Sequence, residues 1–231
     1  MILDPMYLIL VGPAMLLALW AQFRVKSAYA RGSQIAAGSR VTGAQAAAMI
    51  LRRAGIDNVA IEPHQGFLSD HYDPRHKVLR LSPDVYGGRS LAALGIAAHE
   101  AGHAIQDHVR YAPLALRNFI VPLAGFGSNA AFLIFMLGLI LSAAPLGRML
   151  MWGGVILFGA VVVFQLVNLP VEYDASNRAR QVLAEMGLVS QDEAPVVKSV
   201  LSAAALTYVA ATLTAIMTFV YMLLRAQGQR E

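Results

Sequence analysis

Two histidines and a glutamate occur in the sequence at a spacing that could bind and use a metal ion. They form the string His99-Glu100-Ala101-Gly102-His103, an HExxH pattern. On a helix, residues four apart lie on one face, so the imidazoles of His99 and His103 can converge on one ion. Glu100 could then take a proton from a water molecule that zinc has made more acidic, and that water could attack a peptide carbonyl.

An HExxH string also occurs by chance, so its surroundings matter. The eight residues before it, 91–98, are small or apolar, as in a buried helix. Two histidines and a glutamate would be costly to bury there without partners. We therefore predict a catalytic site with Zn²⁺ as the cofactor, His99 and His103 as ligands and Glu100 as the general base.

A catalytic zinc site usually has three protein ligands, so a third must come from elsewhere in the chain. The sequence has no cysteine, which leaves histidines and carboxylates. Asp107 shares the helical face but lies about 12 Å along the axis from His99, which is too far. Glu172 is the better candidate, because it follows an apolar stretch and Pro170, a residue that suits the first turn of a new helix. The alternative role of Glu172 is that of an interfacial carboxylate paired with an arginine.

These residues must be positioned by a chain that is largely apolar. It is 57% hydrophobic and 14% charged, whereas a soluble domain has about 25% charged residues. Four stretches approach or exceed the length of about 20 residues that crosses a bilayer: 6–23, 119–141, 149–171 and 202–224. Asp4 precedes the first stretch and basic residues follow it, the reverse of a signal peptide, so we expect a retained span.

The apolar stretches divide the chain into five predicted segments. Residues 24–118 form a catalytic domain with the HExxH helix, and residues 172–201 form a helical segment that supplies the third ligand. The others are transmembrane helix 1 (1–23), a hairpin of transmembrane helices 2 and 3 (119–171), and transmembrane helix 4 with a tail (202–231). The fold class is a mainly α integral membrane protein with four transmembrane helices and a small α+β zinc-peptidase domain.

Within the catalytic domain we predict a helix at 42–55, strands at 59–62 and 77–82, and a polar loop at 66–76. His71 and Tyr72 in that loop are candidate donors to an oxyanion, and an ordinary solvated loop is the alternative. The strand at 78–81 could pair with an extended substrate or be purely structural.

Lysines and arginines concentrate between residues 24 and 117 and between residues 178 and 198. The positive-inside rule then places both regions, and the catalytic site, in the cytoplasm and both chain ends outside. The formal charge of +4 is read as loop charge of this kind, so no nucleic-acid partner is expected.

Several motifs together resemble the YugP-type neutral zinc metallopeptidases of bacterial membranes. They are GFLSDHYDPR at 66–75, LRLSP at 79–83, AAHEAGHAIQ at 97–106 and LPVEYDAS at 169–176. The likeness covers nearly the whole chain, and the HtpX and CaaX-prenyl proteases are more distantly similar. The resemblance implies a gluzincin-type site in which Glu172, on a later helix, is the third ligand. It also implies a location in the bacterial inner membrane.

One position departs from the distant relatives, which carry Glu-x-x-x-Asp with an aspartate that orients a zinc-bound histidine. Here the residue four after Glu172 is Ser176, so this supporting contact comes from Ser176 or is absent. Asp174 lies about 200° around the helix from Glu172 and could instead pair with Arg178. Asn177 and Arg178 either shape the site or face solvent.

The predicted function is a membrane endopeptidase that acts on membrane-associated polypeptides. A catalytically silent membrane scaffold that keeps a zinc site is the first alternative, and the presence of Glu100 argues against it. A transporter or channel subunit is the second alternative, and it would need ionisable residues inside its spans. The expected partners are a polypeptide substrate and the bilayer, with a membrane protein or a second copy of the chain as further options.

Overall fold

The structure, a computed structural model, describes residues 4–228, and the ends of the predicted segments 1–23 and 202–231 lie outside this range. The helices are α1 (Pro5–Ser33), α2 (Gly43–Arg53), α3 (Pro83–Tyr86), α4 (Leu91–His108), α5 (Ala112–Ile140), α6 (Pro145–Glu185) and α7 (Ala194–Gln227). The strands are β1 (Ala60–Pro63), β2 (His71–Asp73) and β3 (Val78–Leu81).

Helices α1, α5, α6 and α7 are long and apolar enough to cross a membrane. The prediction of a mainly helical protein with four candidate spans and a small sheet is therefore confirmed. Pro170 lies inside α6, which runs unbroken from Pro145 to Glu185. The expectation that Pro170 begins a new helix is wrong, because the helix continues past the backbone hydrogen bond that a proline cannot make. Glu172 therefore lies on the same helix as the third apolar stretch.

The chain forms two compact units. The first comprises Met1–Ala21, Ala115–Leu169 and Thr207–Glu231, and the second comprises Gln22–Leu114 and Pro170–Leu206. In the first unit, buried apolar side chains such as Phe135, Met151 and Tyr221 form the core. Asp4 joins α1 to α7 at one end of this unit, because its Oδ2 accepts hydrogen bonds from Tyr221 Oη (2.8 Å) and Arg225 Nη2 (2.7 Å).

The second unit contains α2, α3, α4 and the sheet, packed on a core that includes Ile50, Leu79 and Leu94. The helix predicted at 42–55 is confirmed as α2. Thr42 caps it, since Thr42 Oγ1 accepts from the Gln45 N–H and Gln45 Oε1 accepts from the Thr42 N–H, a capping box.

The sheet has the order β1-β3-β2, with β1 parallel and β2 antiparallel to β3. The two predicted strands are confirmed as β1 and β3. The predicted polar loop at 66–76 is wrong in part, because it contains β2. Since β3 is the central strand and pairs on both sides, the idea that a substrate pairs with β3 is also wrong.

Candidate active site

The HExxH helix α4 and helix α6 bring three potential metal ligands together in the second unit. The rings of His99 and His103 lie edge to face, with centroids 4.8 Å apart. Glu172 Oε2 is 3.3 Å from His99 Nε2 and 3.6 Å from His103 Nε2. One ligand atom from each residue lies within 4.8 Å of the others, so the group could hold a metal ion.

A glycine allows these helices to approach so closely. A Cβ atom placed on Gly102 would lie only 2.8 Å from the carbonyl oxygen of Ala175, closer than real Cβ contacts. Gly102 precedes His103, and Ala175 follows Glu172 by less than one helical turn. The glycine of the HExxH string therefore allows His99 and His103 on α4 to lie close to Glu172 on α6.

The surroundings of His103 fix which of its nitrogens carries the proton. The Gln106 side-chain amide donates to the Val171 carbonyl oxygen and to Asp174 Oδ2, both at 2.8 Å, so its Oε1 faces the other way. That Oε1 is 2.9 Å from His103 Nδ1, which must therefore be the donor. In the neutral imidazole with its proton on Nδ1, the lone pair of Nε2 faces the Glu172 carboxylate. The His103 Nε2 lone pair and the Glu172 carboxylate are both electron-rich, so the space between them suits a cation.

The contacts of Gln106 continue along α6. Asp174 Oδ2 also accepts a hydrogen bond of 2.5 Å from Arg178 Nε, the ion pair considered from the sequence. The Arg178 guanidinium lies 5.9 Å from the centre of the Tyr111 ring. Sequence reasoning missed Gln106, although its position three residues after His103, on the same helical face, was a usable signal.

His99 has a single hydrogen-bonding side chain beside its Nδ1 atom. Ser176 Oγ is 3.1 Å from His99 Nδ1, while His99 Nε2 faces Glu172. Ser176 is buried, one helical turn after Glu172 on α6. Of the two possibilities considered from the sequence, the structure therefore shows the contact from Ser176 to His99.

Glu100 is buried beside the ligand group and is held by the neighbouring strand. Its Oε2 accepts a 3.1 Å hydrogen bond from the backbone N–H of Tyr72 in β2. Burial raises the pKa of the Glu100 carboxyl to about 7; the His99 charge and the Tyr72 hydrogen bond oppose the rise, and the Glu172 charge adds to it. A carboxyl group with this pKa is suited to accept and release a proton near neutral pH.

The side chains of the two oxyanion candidates each have a hydrogen-bond partner in the structure. Tyr72 Oη donates a 2.6 Å hydrogen bond to Asp107, and burial together with Asp107 raises the pKa of the Tyr72 phenol. His71 Nδ1 lies 2.8 Å from the Ser69 carbonyl oxygen, and its ring packs edge to face on His64. The contribution of Tyr72 to the site is its backbone N–H, which no side-chain pattern could indicate.

Asn177 is exposed, and its Oδ1 accepts a 2.5 Å hydrogen bond from Arg180 Nη2. The sequence left open whether Asn177 and Arg178 shape the site or face solvent. In the structure, Arg178 contacts Asp174 and Asn177 contacts Arg180.

Comparison with known proteins identifies the family. The model of a family described as "Putative neutral zinc metallopeptidase" matches residues 7–227. The chain belongs to this family. It is also similar to the "Putative membrane protease YugP" of Bacillus subtilis (strain 168), at 45% identity over 211 residues, which are 91% of this chain and 92% of that protein. No solved structure matches the chain. The resemblance drawn from the sequence motifs is confirmed.

Membership of a neutral zinc metallopeptidase family implies zinc, and the ligand group fits that ion. Two imidazole nitrogens and one glutamate oxygen are a known donor set for catalytic zinc, with one position left for water or substrate. The tautomer that Gln106 imposes on His103 leaves the required lone pair directed at Glu172. The membrane-protease relative and the four apolar helices indicate a membrane protein.

Proposed function

We propose that the chain is a membrane-embedded zinc endopeptidase of the gluzincin type, in which His99, His103 and Glu172 hold zinc and Glu100 is the general base. One observation carries the proposal: three ligand atoms converge within 4.8 Å, and the buried carboxyl of Glu100 follows the first of them on α4. A scaffold protein that only retained zinc would need the three ligands and would have no use for a buried fourth group.

The residues of the chain divide the work of hydrolysis. Bound zinc supplies Lewis-acid chemistry, which acidifies water and polarises the carbonyl of the peptide bond that is cut. Glu100 accepts a proton from the attacking water, and the same proton passes to the nitrogen of the leaving amine. The Tyr72 N–H, bonded to Glu100 Oε2, holds the Glu100 carboxyl group in place for both transfers. One water is consumed, and a carboxylic acid and an amine are formed.

The test separates Glu100 from Glu172. Glu100→Gln keeps the shape of the side chain but cannot accept a proton, so we expect full zinc content and peptidase activity lower by about 10²–10⁴-fold. Glu172→Gln replaces an anionic ligand with a weak neutral donor, so zinc affinity and activity should fall together. Elemental analysis and cleavage of a quenched fluorescent peptide measure the two effects in purified protein.

Added zinc makes this test decisive. Excess zinc should restore part of the activity of Glu172→Gln and none of that of Glu100→Gln. If Glu172→Gln retains tight zinc, the third ligand is another residue. If Glu100→Gln keeps the peptidase activity of the unmodified chain, Glu100 is not the general base. If the unmodified chain binds zinc but cleaves no peptide, the silent-scaffold alternative is correct. The double variant His99→Ala/His103→Ala, which lacks two ligands, serves as the zinc-free reference.

We further propose that residues 24–118 and 172–201 form the catalytic part, on the cytoplasmic side of a bacterial inner membrane, where it cleaves membrane-associated polypeptides. The excess of lysine and arginine in both regions supports this orientation. The chain has no cysteine, so single cysteines report position cleanly. Cysteines at Ser69 and Ser190 should react with a membrane-impermeant reagent from the cytoplasmic side, and one at Ala144 from the outside. Labelling of Ser69 and Ser190 from opposite sides would contradict the proposal.

A further inference from the structure

The ligand that α6 supplies lies at the end of an apolar stretch. Glu172 follows Val171, the last residue of the stretch 149–171, so it lies about 1.5 Å further along the helix. The next side chain, Tyr173, is 46% exposed. Tyrosine is enriched where membrane helices enter the headgroup layer. The end of the apolar stretch and the exposed tyrosine both indicate that α6 leaves the hydrocarbon core at Glu172.

Helix α4, which carries the other two ligands, begins at a similar level. Ala92, in its first turn, belongs to one apolar cluster with Val200 and Ala203 of α7. Ala203 is the second residue of the apolar stretch 202–224, and Val200 precedes that stretch by two residues, about 3 Å. The first turn of α4 therefore also lies at the edge of the hydrocarbon core.

Two glycines show the level at which α4 continues. A Cβ atom on Gly95 would lie 3.2 Å from the side chain of Val197 in α7. A Cβ atom on Gly102 would lie 2.8 Å from the Ala175 carbonyl oxygen in α6. Val197 precedes its apolar stretch by five residues, and Ala175 follows its stretch by four, so they lie at most about 7.5 Å and 6 Å beyond the hydrocarbon core.

These heights match the thickness of the headgroup layer, which extends the hydrocarbon core by about 5–7 Å on each side. All of the contacts lie within the second unit, which itself contains the ends of the two apolar stretches. Helix α4 therefore runs along the membrane surface, and the group formed by His99, His103 and Glu172 lies at headgroup depth.

The depth of the ligand group limits which peptide bonds can reach it. An extended chain advances about 3.3 Å per residue, so a polypeptide that leaves the hydrocarbon core crosses the headgroup layer in about two residues. The bonds found at this depth are those beside the end of a membrane-spanning segment. A soluble polypeptide has no segment that is fixed there.

We propose that the substrates are membrane-spanning polypeptides, which are cut within a few residues of the end of a transmembrane segment. This substrate class rests on the proposed peptidase function and narrows it from membrane-associated polypeptides in general. The transmembrane segment of the substrate keeps the cleaved bond at the depth of the ligand group, so the bilayer supplies part of the binding energy.

A spacer series in vesicles tests the substrate class. Each substrate has a leucine–alanine helix of about 20 residues, which spans the bilayer, then a glycine–serine spacer and the sequence of the quenched fluorescent peptide. The zinc-loaded full chain and one substrate are reconstituted together in phosphatidylcholine vesicles. The rate should be highest for a spacer of about 4 residues and about tenfold or more lower for about 32, because effective concentration falls roughly as the −3/2 power of tether length. At equal concentration, the peptide without the helix should be cut most slowly.

Resistance of the shortest spacer while the longest is cut would overturn the proposal, because the ligand group would then stand above the headgroup layer. Equal rates with and without the helix would overturn it as well. Glu100→Gln supplies the background rate. If neither the soluble nor any tethered peptide is cut, the proposed function itself is wrong, and the substrate class falls with it.

A depth measurement tests the geometry without relying on activity. Because the chain has no cysteine, a fluorophore can be attached to Tyr173→Cys or to Gln181→Cys alone. Both positions are exposed on α6, and Gln181 lies about 12 Å further from the apolar stretch. In vesicles of lipids with brominated acyl chains, quenching should be several-fold stronger at position 173 than at position 181. Equally weak quenching at both positions would place the ligand group outside the headgroup layer and overturn the proposal, even if peptides are cleaved.

Discussion

His99 and His103 both direct Nε2 at Glu172, yet their opposite ring nitrogens meet different surroundings. Around His99, the partner is the neutral hydroxyl of Ser176 on α6. Around His103, the partner is Gln106, whose amide is itself bonded to a backbone carbonyl and to a carboxylate. One histidine is thus supported by a single side chain and the other by a network that joins two helices.

The difference shows where the supporting carboxylate acts in this chain. The pattern that the sequence resemblance implied has it four residues after the glutamate, where this chain has Ser176. Here Asp174, two residues after Glu172, acts on the other histidine, through Gln106. A carboxylate at the end of such a relay polarises the amide and makes the histidine a stronger zinc ligand. We therefore expect His103 to be the more firmly oriented ligand of the two.

The largest effect is expected from a change that disturbs the contacts of both histidines at once. Gly102→Ala would place a methyl group against the Ala175 carbonyl oxygen, next to both Asp174 and Ser176. The helices must separate by several tenths of an ångström or more, at a cost of about 1–3 kcal/mol in stability. Displaced ligands should lower peptidase activity about 10²-fold. Zinc affinity, measured by chelator competition, should fall together with the activity.

Gly12→Ala is the matched control for this prediction. Gly12 also lies within a helix, but a Cβ atom there would meet no other atom within 4 Å. Zinc affinity and activity should remain unchanged in Gly12→Ala. Normal zinc affinity in Gly102→Ala would show that α4 and α6 tolerate a wider spacing at the site.

The comparison also shows what the sequence could predict. Helical spacing alone placed His99 and His103 on one face, and the i+4 relation of Asp174 to Arg178 was visible in the same way. The contact between Gln106 and Asp174 was not, because it depends on the register between α4 and α6. Strand β2 was missed because it has three residues in a polar stretch, and its pairing with β3 is tertiary information.

The next effect concerns the His103 network alone. Gln106→Leu preserves the approximate volume but removes the acceptor of the His103 Nδ1–H and leaves Asp174 without the amide. Loss of such a supporting contact typically costs about 10–100-fold in metal affinity, and we expect this range here. Chelator competition measures it, and the thermal stability of the zinc-free protein, compared between variant and unmodified chain, separates the effect from general unfolding.

Gln181→Leu is the control for Gln106→Leu, because Gln181 is an exposed glutamine of α6 away from the histidines. Its zinc affinity should equal that of the unmodified chain. Zinc affinity in Gln106→Leu equal to that of the unmodified chain would contradict the role assigned to Gln106.

The smallest effect is expected at the partner of His99. Ser176→Ala removes one neutral hydroxyl, and neutral hydrogen bonds are weaker than those in a network that includes a carboxylate. The resulting loss of zinc affinity should be about tenfold or less, at the lower limit for such contacts. Tyr173→Ala, an exposed neighbour on α6, should cause none. In the double variant Gln106→Leu/Ser176→Ala, the two losses should add if the histidines are supported independently. If Ser176→Ala alone proves more costly than Gln106→Leu, His99 is the firmly held ligand, and the order inferred from the hydrogen bonds is reversed.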